Sequence, residues 1–172
     1  MISLHKATVG TCLQLLPSLA RLLDKAEEHC RTLGLPDIAI TESRLADDMW
    51  PFAKQVTSAV QHSAGAVAAV PTGLAGPDTD PAPGDFTTLR AIVDDGIAFL
   101  QSVDAKALDA IGDNMLRFDF RTRHMDFTVA DFLLSFSMPS FQFHMTMAYA
   151  LLRHRGLAIG KADFLGRLSF QR

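Results

Sequence analysis

The chain has 172 residues, of which 48% are hydrophobic, and a formal net charge of −3. This length and composition predict one compact domain over residues 1–172 and exclude a disordered chain. The 16 Lys and Arg residues are balanced by 19 Asp and Glu residues without a basic run, which excludes the phosphate-tracking surface of a nucleic-acid-binding protein. No nucleic acid is therefore expected as a partner.

Three features predict the compartment. Cys12 and Cys30 lie eighteen residues apart in one apolar helical pattern, too far for a disulfide, which is typical of buried thiols in a reducing cytoplasm. Residues 2–6 lack the basic and apolar order of a signal peptide. Residues 132–152 carry no charged side chain over a length that could cross a bilayer, but their Ser, Pro, Gln and His content favours a buried helix of a soluble bundle. We therefore expect a cytoplasmic protein with no membrane partner.

Apolar residues at three- and four-residue spacing predict a long first helix over residues 9–33, with Pro17 as a kink and Gly34 at its end. Asp48 is expected to cap a second helix that has Pro51 in its first turn. The core-facing residues of this second helix are expected to be Phe52, Val56, Ala59, Ser63, Ala66 and Val70.

Residues 71–85 contain four prolines and three glycines, which predict a loop with little regular structure. A third helix follows over residues 86–103, where Gly96 would let a neighbouring helix approach closely. Alternating apolar and polar residues then predict a short hairpin that turns at residues 121–123. The last long helix begins at Thr128, with a kink or bulge expected near Pro139. The predicted fold is all-α, a four-helix bundle with a short β-hairpin before the last helix.

The last helix carries polar residues where a core would have aliphatic ones. Helical spacing of about 100° per residue places Ser137, Ser140 and His144 on its inner face. Two interpretations remain open. These side chains surround a polar pocket, or the serines bond back to helical carbonyls and His144 is a satisfied core histidine.

A second imidazole lies near the middle of the second helix, where Asp48, Gln55 and His62 follow at seven-residue spacing along one edge. Side-by-side packing of the two helices would bring His62 and His144 to similar depth, unless this edge is a solvated flank. A catalytic metal needs about three protein ligands, so Asp48 or His29 would have to supply the third.

Other catalytic chemistry finds little support in the sequence. Both cysteines are expected to be buried and inert, and no phosphate-binding glycine loop, nucleophile elbow or paired-histidine zinc motif is present. The phenylalanine-rich C-terminal third would suit either the core or the walls of a pocket for an apolar small molecule. The predicted pocket residues are Gln55, Ser137, Ser140, Phe141 and Tyr149.

Three segments carry a family resemblance: residues 45–56, residues 131–134, and residues 138–149 with their continuation to residue 166. Over nearly the whole chain they resemble the DinB/YfiT-like superfamily of four-helix bundles, specifically its bacterial branch known as a domain of unknown function. The resemblance implies a divalent metal held by one histidine of the second helix and two of the last, and a homodimer. His62 and His144 match two of these ligands, and Ala148 stands at the third position.

Two functions follow as expectations. The first is a metal-dependent enzyme of the hydrolase or thiol S-transferase type, in which His62 and His144, with Asp48, bind Zn²⁺ or Ni²⁺ and polarise a bound water or thiol. The second is a metal-free helical bundle that binds a small apolar ligand or acts as a dimeric interaction module.

Overall fold

Four long helices form the core of the computed structural model, which describes residues 2–168. They are α1 (Val9–Leu33), α2 (residues 52–69), α3 (Phe86–Ser102) and α4 (residues 129–154). Helix α1 packs on α3, and α2 packs on α4. Four short helices complete the chain, at Leu4–Ala7, Ile38–Thr41, Ala105–Ala110 and Lys161–Leu165. The predicted all-α four-helix bundle is confirmed.

Helices α2 and α4 each contain one π-helical turn. In α2 the segment Gln61–Gly65 lies between Phe52–Val60 and Ala66–Ala69, and in α4 the segment Phe132–Ser137 lies between Val129–Asp131 and Met138–His154. The second of these ends two residues before Pro139, whose missing N–H removes one donor from the ordinary helical ladder. The bulge expected near Pro139 is thus confirmed.

The helix ends show which local predictions were correct. Helix α1 continues through Pro17 and ends at Gly34, which has a left-handed φ of 66°. The Thr128 side chain caps α4 by accepting a hydrogen bond from the N–H of Asp131 at 3.1 Å. A Cβ on Gly96 would lie 3.0 Å from Val60 Cγ1, which confirms the close approach of α2 and α3 at this glycine.

The predicted cap of α2 is wrong. Pro51, not Asp48, is the N-cap residue, and no side chain caps this end. The preceding chain forms its own turn, in which the N–H of Met49 bonds to the carbonyl of Ala46, and the N–H of Phe52 bonds to the carbonyl of Ser43. These backbone contacts hold Asp48 in a separate turn, and it stays exposed.

The predicted hairpin forms two strands of a three-stranded sheet. The strands are β1 (Leu74–Ala75), β2 (Met115–Phe120) and β3 (Arg123–Thr128), in the order β1-β2-β3. Strands β2 and β3 pair antiparallel as predicted, while β1 pairs parallel with β2. Strand β1 and the 3₁₀ turn Val70–Thr72 lie partly within the predicted irregular segment, so residues 71–85 have more regular structure than their composition indicates.

The buried apolar residues of all four long helices form one hydrophobic core. The core-facing residues predicted for the second helix are all buried. Within residues 2–168, no helix has both the length and the apolar content needed to cross a membrane. The single domain stays a prediction, and its outermost positions, Met1 and residues 169–172, lie outside the described residues.

Candidate functional site

The two histidines predicted on α2 and α4 meet inside the bundle. The imidazoles of His62 and His144 stack with ring centroids 5.6 Å apart and an interplanar angle of 14°. Trp50 also stacks on His144, at 5.6 Å and 12°. We call these three side chains the ring stack. The sequence predicted the imidazole pair but not the tryptophan, which lies in the irregular segment before α2.

Gln55 fixes the orientation of the buried His144 ring. Its amide nitrogen donates to the carbonyl of Trp50 at 3.2 Å, and its side-chain oxygen lies 2.8 Å from His144 Nδ1. Because an amide oxygen can only accept, Nδ1 carries the proton, and Nε2 of the neutral ring keeps its lone pair. Gln55 is only 2% exposed, so one buried amide joins His144 to the backbone beside Trp50.

Both imidazoles are neutral near pH 7. Burial lowers the pKa of His144 to about 4, and its electrostatic interactions with the neighbouring His62 and Lys54 act in the same direction. Burial also lowers the pKa of His62. A neutral imidazole offers one N–H donor and one acceptor nitrogen, so the pair can recognise an uncharged polar group.

Two cavities adjoin the ring stack. The inner cavity has a volume of about 330 Å³, and its walls include Ser58, His62, Ala66, Phe118, Phe132 and Phe136. The outer groove has a volume of about 580 Å³, and its walls include Asp48, Gln55, Ser140, Phe143 and His144. Trp50 borders both. His62 therefore lines the inner cavity, and His144 lines the outer groove.

Both π-helical segments contribute walls to the inner cavity. Gln61 and His62 come from the segment in α2, and Phe132 and Phe136 come from the segment in α4. A π-helical turn inserts an extra residue and changes the direction of the side chains around it, and such turns are frequent at functional sites. Their convergence on one cavity marks this region as the candidate functional site.

A segment of the loop before α3 covers part of the inner cavity. Gly76, Pro77 and Asp78 line it, and Lys54 of α2 holds this segment in place. Lys54 Nζ donates to the Asp78 carboxylate at 2.9 Å and to the carbonyl of Asp80 at 2.9 Å. The sequence does not predict this contact. Lys54 and Asp78 lie 24 positions apart, and Asp78 is in a loop, so the two share no periodic pattern.

Three of the other predicted site residues lie together in the outer groove. Asp48, Gln55 and Ser140 line the outer groove with His144, and the Ser140 hydroxyl bonds back to the carbonyl of Phe136 at 2.8 Å. The second interpretation of the serines thus holds for Ser140. Buried Ser137 has a hydroxyl without a hydrogen-bond partner among residues 2–168.

Phe141, Tyr149 and His29 do not line either cavity. Phe141 lies wholly within the hydrophobic core, and Tyr149 packs against Phe164 with ring centroids 5.8 Å apart. His29 borders a separate groove with Asp24. None of the three belongs to the arrangement around the ring stack.

The donor groups of the site fall short of a metal centre. Within residues 2–168, no three His, Cys, Asp or Glu side chains come together in a group that could hold a metal ion. The third position of the motif holds Ala148, which is buried, and Asp48 is exposed at the outer groove. Because catalytic zinc sites use three protein ligands, the residues present do not fit the metal centre that the resemblance implies.

Comparisons with known proteins agree with this fold. No curated protein matches the chain. Among solved structures, it is similar to a DinB family member protein from Shewanella denitrificans, with a TM-score of 0.81 and 24% identity over 98% of this chain and 95% of that chain. At this identity the similarity establishes the fold alone. The family model described as Domain of unknown function (DUF1993) matches residues 4–165. The chain therefore belongs to the DUF1993 family, with a DinB-like fold.

Proposed function

We propose that this protein binds a small apolar molecule in the inner cavity without the help of a metal. The observation that carries the proposal is the cavity itself, with its volume of about 330 Å³ and its phenylalanine walls. Sites for small molecules are concave and mostly apolar, with a few polar groups, and have volumes of about 300–1,000 Å³. The inner cavity meets each of these criteria.

The walls of the cavity are already packed against one another. The Phe118 and Phe136 rings lie 4.9 Å apart between centroids, and the Phe132 and Phe136 rings lie 5.8 Å apart. His62 packs edge-on against Phe136 at 5.6 Å. Side chains held by such contacts lose little freedom when a ligand enters, which supports binding without large rearrangement.

Naphthalene provides a test because Trp50, the one tryptophan of the chain, borders the cavity and reports on it by fluorescence. We expect naphthalene to change this fluorescence with saturation. Ala66→Met, which places a longer side chain at the cavity wall, is expected to weaken binding about tenfold, since each tenfold change in affinity corresponds to about 1.4 kcal/mol. Ala107→Met, at an exposed position, is the matched control and should leave the affinity unchanged. Equal affinity in both variants would contradict the proposal.

The metal-dependent enzyme of the hydrolase or S-transferase type stays a prediction. One observation favours it. Gln55 holds Nδ1 of His144, which leaves Nε2 unprotonated, in the way that outer-shell groups orient metal-binding histidines. Metal analysis of protein purified without a histidine tag tests it against His144→Ala. About one Zn²⁺ or Ni²⁺ per chain, lost in the variant, would support this function, and substoichiometric metal in both proteins would end it.

A homodimer and a cytoplasmic location also stay predictions. A reducing compartment suits the two cysteines, because Cys12 and Cys30 are free and buried. Burial also raises the pKa of Cys12 to about 12, so its thiol stays protonated. Sedimentation velocity measures whether the protein is a monomer or a dimer in solution.

A further inference from the structure

Two polar side chains face the inner cavity from one turn of α2. Ser58 and His62 are four residues apart, which places them on the same face of the helix. Both line the cavity, and Ser58 is only 4% exposed. Within residues 2–168, neither side chain forms a hydrogen bond, in contrast to Ser63 and Ser140, whose hydroxyls bond back to helical carbonyls. The Ser58 hydroxyl and the His62 imidazole therefore line a mostly apolar cavity without a partner in the described part of the chain, and each can take a hydrogen-bond partner from outside it.

We propose that the ligand of the inner cavity is an uncharged aromatic alcohol of the phenol class, whose hydroxyl pairs with His62 and Ser58. This inference rests on the proposed function and specifies its ligand. The hydroxyl donates to the acceptor nitrogen of His62 and accepts from the Ser58 hydroxyl, so both unpartnered groups are satisfied at once.

A hydroxyl suits these groups better than an apolar end would. Enclosing Ser58 and His62 against hydrocarbon would remove them from water without a hydrogen bond, which is costly for each group. The reverse also holds, because a wholly apolar cavity would reject a hydroxyl. The preference between two ligands that differ only by a hydroxyl therefore reports whether these residues act on the ligand.

The charges around the cavity favour a neutral ligand. Asp78 is the charged residue of the described cavity wall, and it is already paired with Lys54. A carboxylate or an ammonium group on the ligand would consequently enter a site that holds no free counter-charge for it.

The size and the walls of the cavity indicate a planar body of two fused rings. An apolar cavity of about 150 Å³ takes up benzene, so the volume of about 330 Å³ leaves room for a bicyclic molecule. The rings of Phe118, Phe132 and Phe136 can pack against its faces and edges.

Isothermal titration calorimetry with 2-naphthol, naphthalene and 2-naphthoate tests the inference on the wild-type chain. We expect 2-naphthol to bind about tenfold more tightly than naphthalene, and 2-naphthoate to bind more weakly than 2-naphthol, since the site holds a hydroxyl but no free cation. Equal or tighter binding of naphthalene would overturn the inference and leave the proposed function standing. Binding of none of the three would overturn both.

Two substitutions identify the residues responsible. Ser58→Ala and His62→Phe are each expected to weaken the binding of 2-naphthol severalfold while the affinity for naphthalene stays constant or rises. Thermal unfolding shows whether each variant is folded, and Ser58→Ala, the smaller change, remains informative if His62→Phe is destabilised. A 2-naphthol preference that survives in both variants would overturn the assignment to Ser58 and His62.

Discussion

Lowering the pH from about 7.5 to about 4.5 is expected to reduce the free energy of unfolding by about 2–3 kcal/mol through His144 alone. Burial lowers the pKa of this imidazole from 6.5 to about 4. In that interval the unfolded chain binds a proton that the folded chain does not, so acidification favours unfolding. The stabilisation is fully present above pH 6.5 and is lost as the pH falls toward 4. The lowered pKa of His62 adds an effect of the same sign.

His144→Asn isolates this contribution. An asparagine amide can still donate to the Gln55 side-chain oxygen from nearly the position of Nδ1, but it does not titrate. Urea unfolding of both proteins at the two pH values measures the effect, and we expect the fall in stability to be about 2–3 kcal/mol smaller in the variant. Identical falls would show that His144 is not a buried neutral imidazole.

Much of the helical architecture could be predicted because its signals are local. The inward positions of α2 follow from a spacing of three and four residues, and the same spacing placed His144 on the inner face of α4. Side-by-side packing of two such helices is enough to bring His62 and His144 together. Burial of His144 could thus be inferred from neighbouring residues in the sequence without knowledge of its contacts.

The parts that could not be predicted depend on irregular backbone. Trp50 stacks on His144 but belongs to a segment with no periodic pattern. Turns within the same segment hold Asp48 away from the N-terminus of α2. No proline lies in or just after the π-helical turn that contains His62, so the sequence gives no sign of it. The other π-helical turn is followed closely by Pro139. Strand β1 is two residues long, too short for alternation to be visible.

The family motif predicted the fold and individual residues but not the complete site. It identified the fold and matched His62 and His144 residue by residue, but metal binding depends on the complete set of donors. Where that set would be completed, the buried methyl group of Ala148 contributes to the core. His62 and His144 therefore match the motif as residues of cavity walls, without a third ligand beside them in the described part of the chain.

Phe132→Ala is expected to lower the free energy of unfolding by about 4 kcal/mol. Phe132 is 2% exposed, and its ring lies about 6 Å from those of Phe118, Phe127 and Phe136, with centroid distances of 6.1, 5.9 and 5.8 Å. It joins the hairpin of β2 and β3 to α4. Because one side of the ring already borders the inner cavity, its neighbours cannot collapse into the vacated space, and the cost of the void is added to the lost burial.

Leu134→Ala is the matched control, since Leu134 belongs to the same π-helical segment but is 47% exposed. We expect it to change stability by about 0.5 kcal/mol or less, as is usual for surface substitutions. Urea unfolding compares the two variants, and amide hydrogen exchange should show faster exchange in β2 and β3 for Phe132→Ala. Equal losses in the two variants would contradict the placement of Phe132 as the shared wall of core and cavity. A large loss confined to Phe132→Ala, together with faster exchange in β2 and β3, would show that this ring holds the hairpin on the bundle.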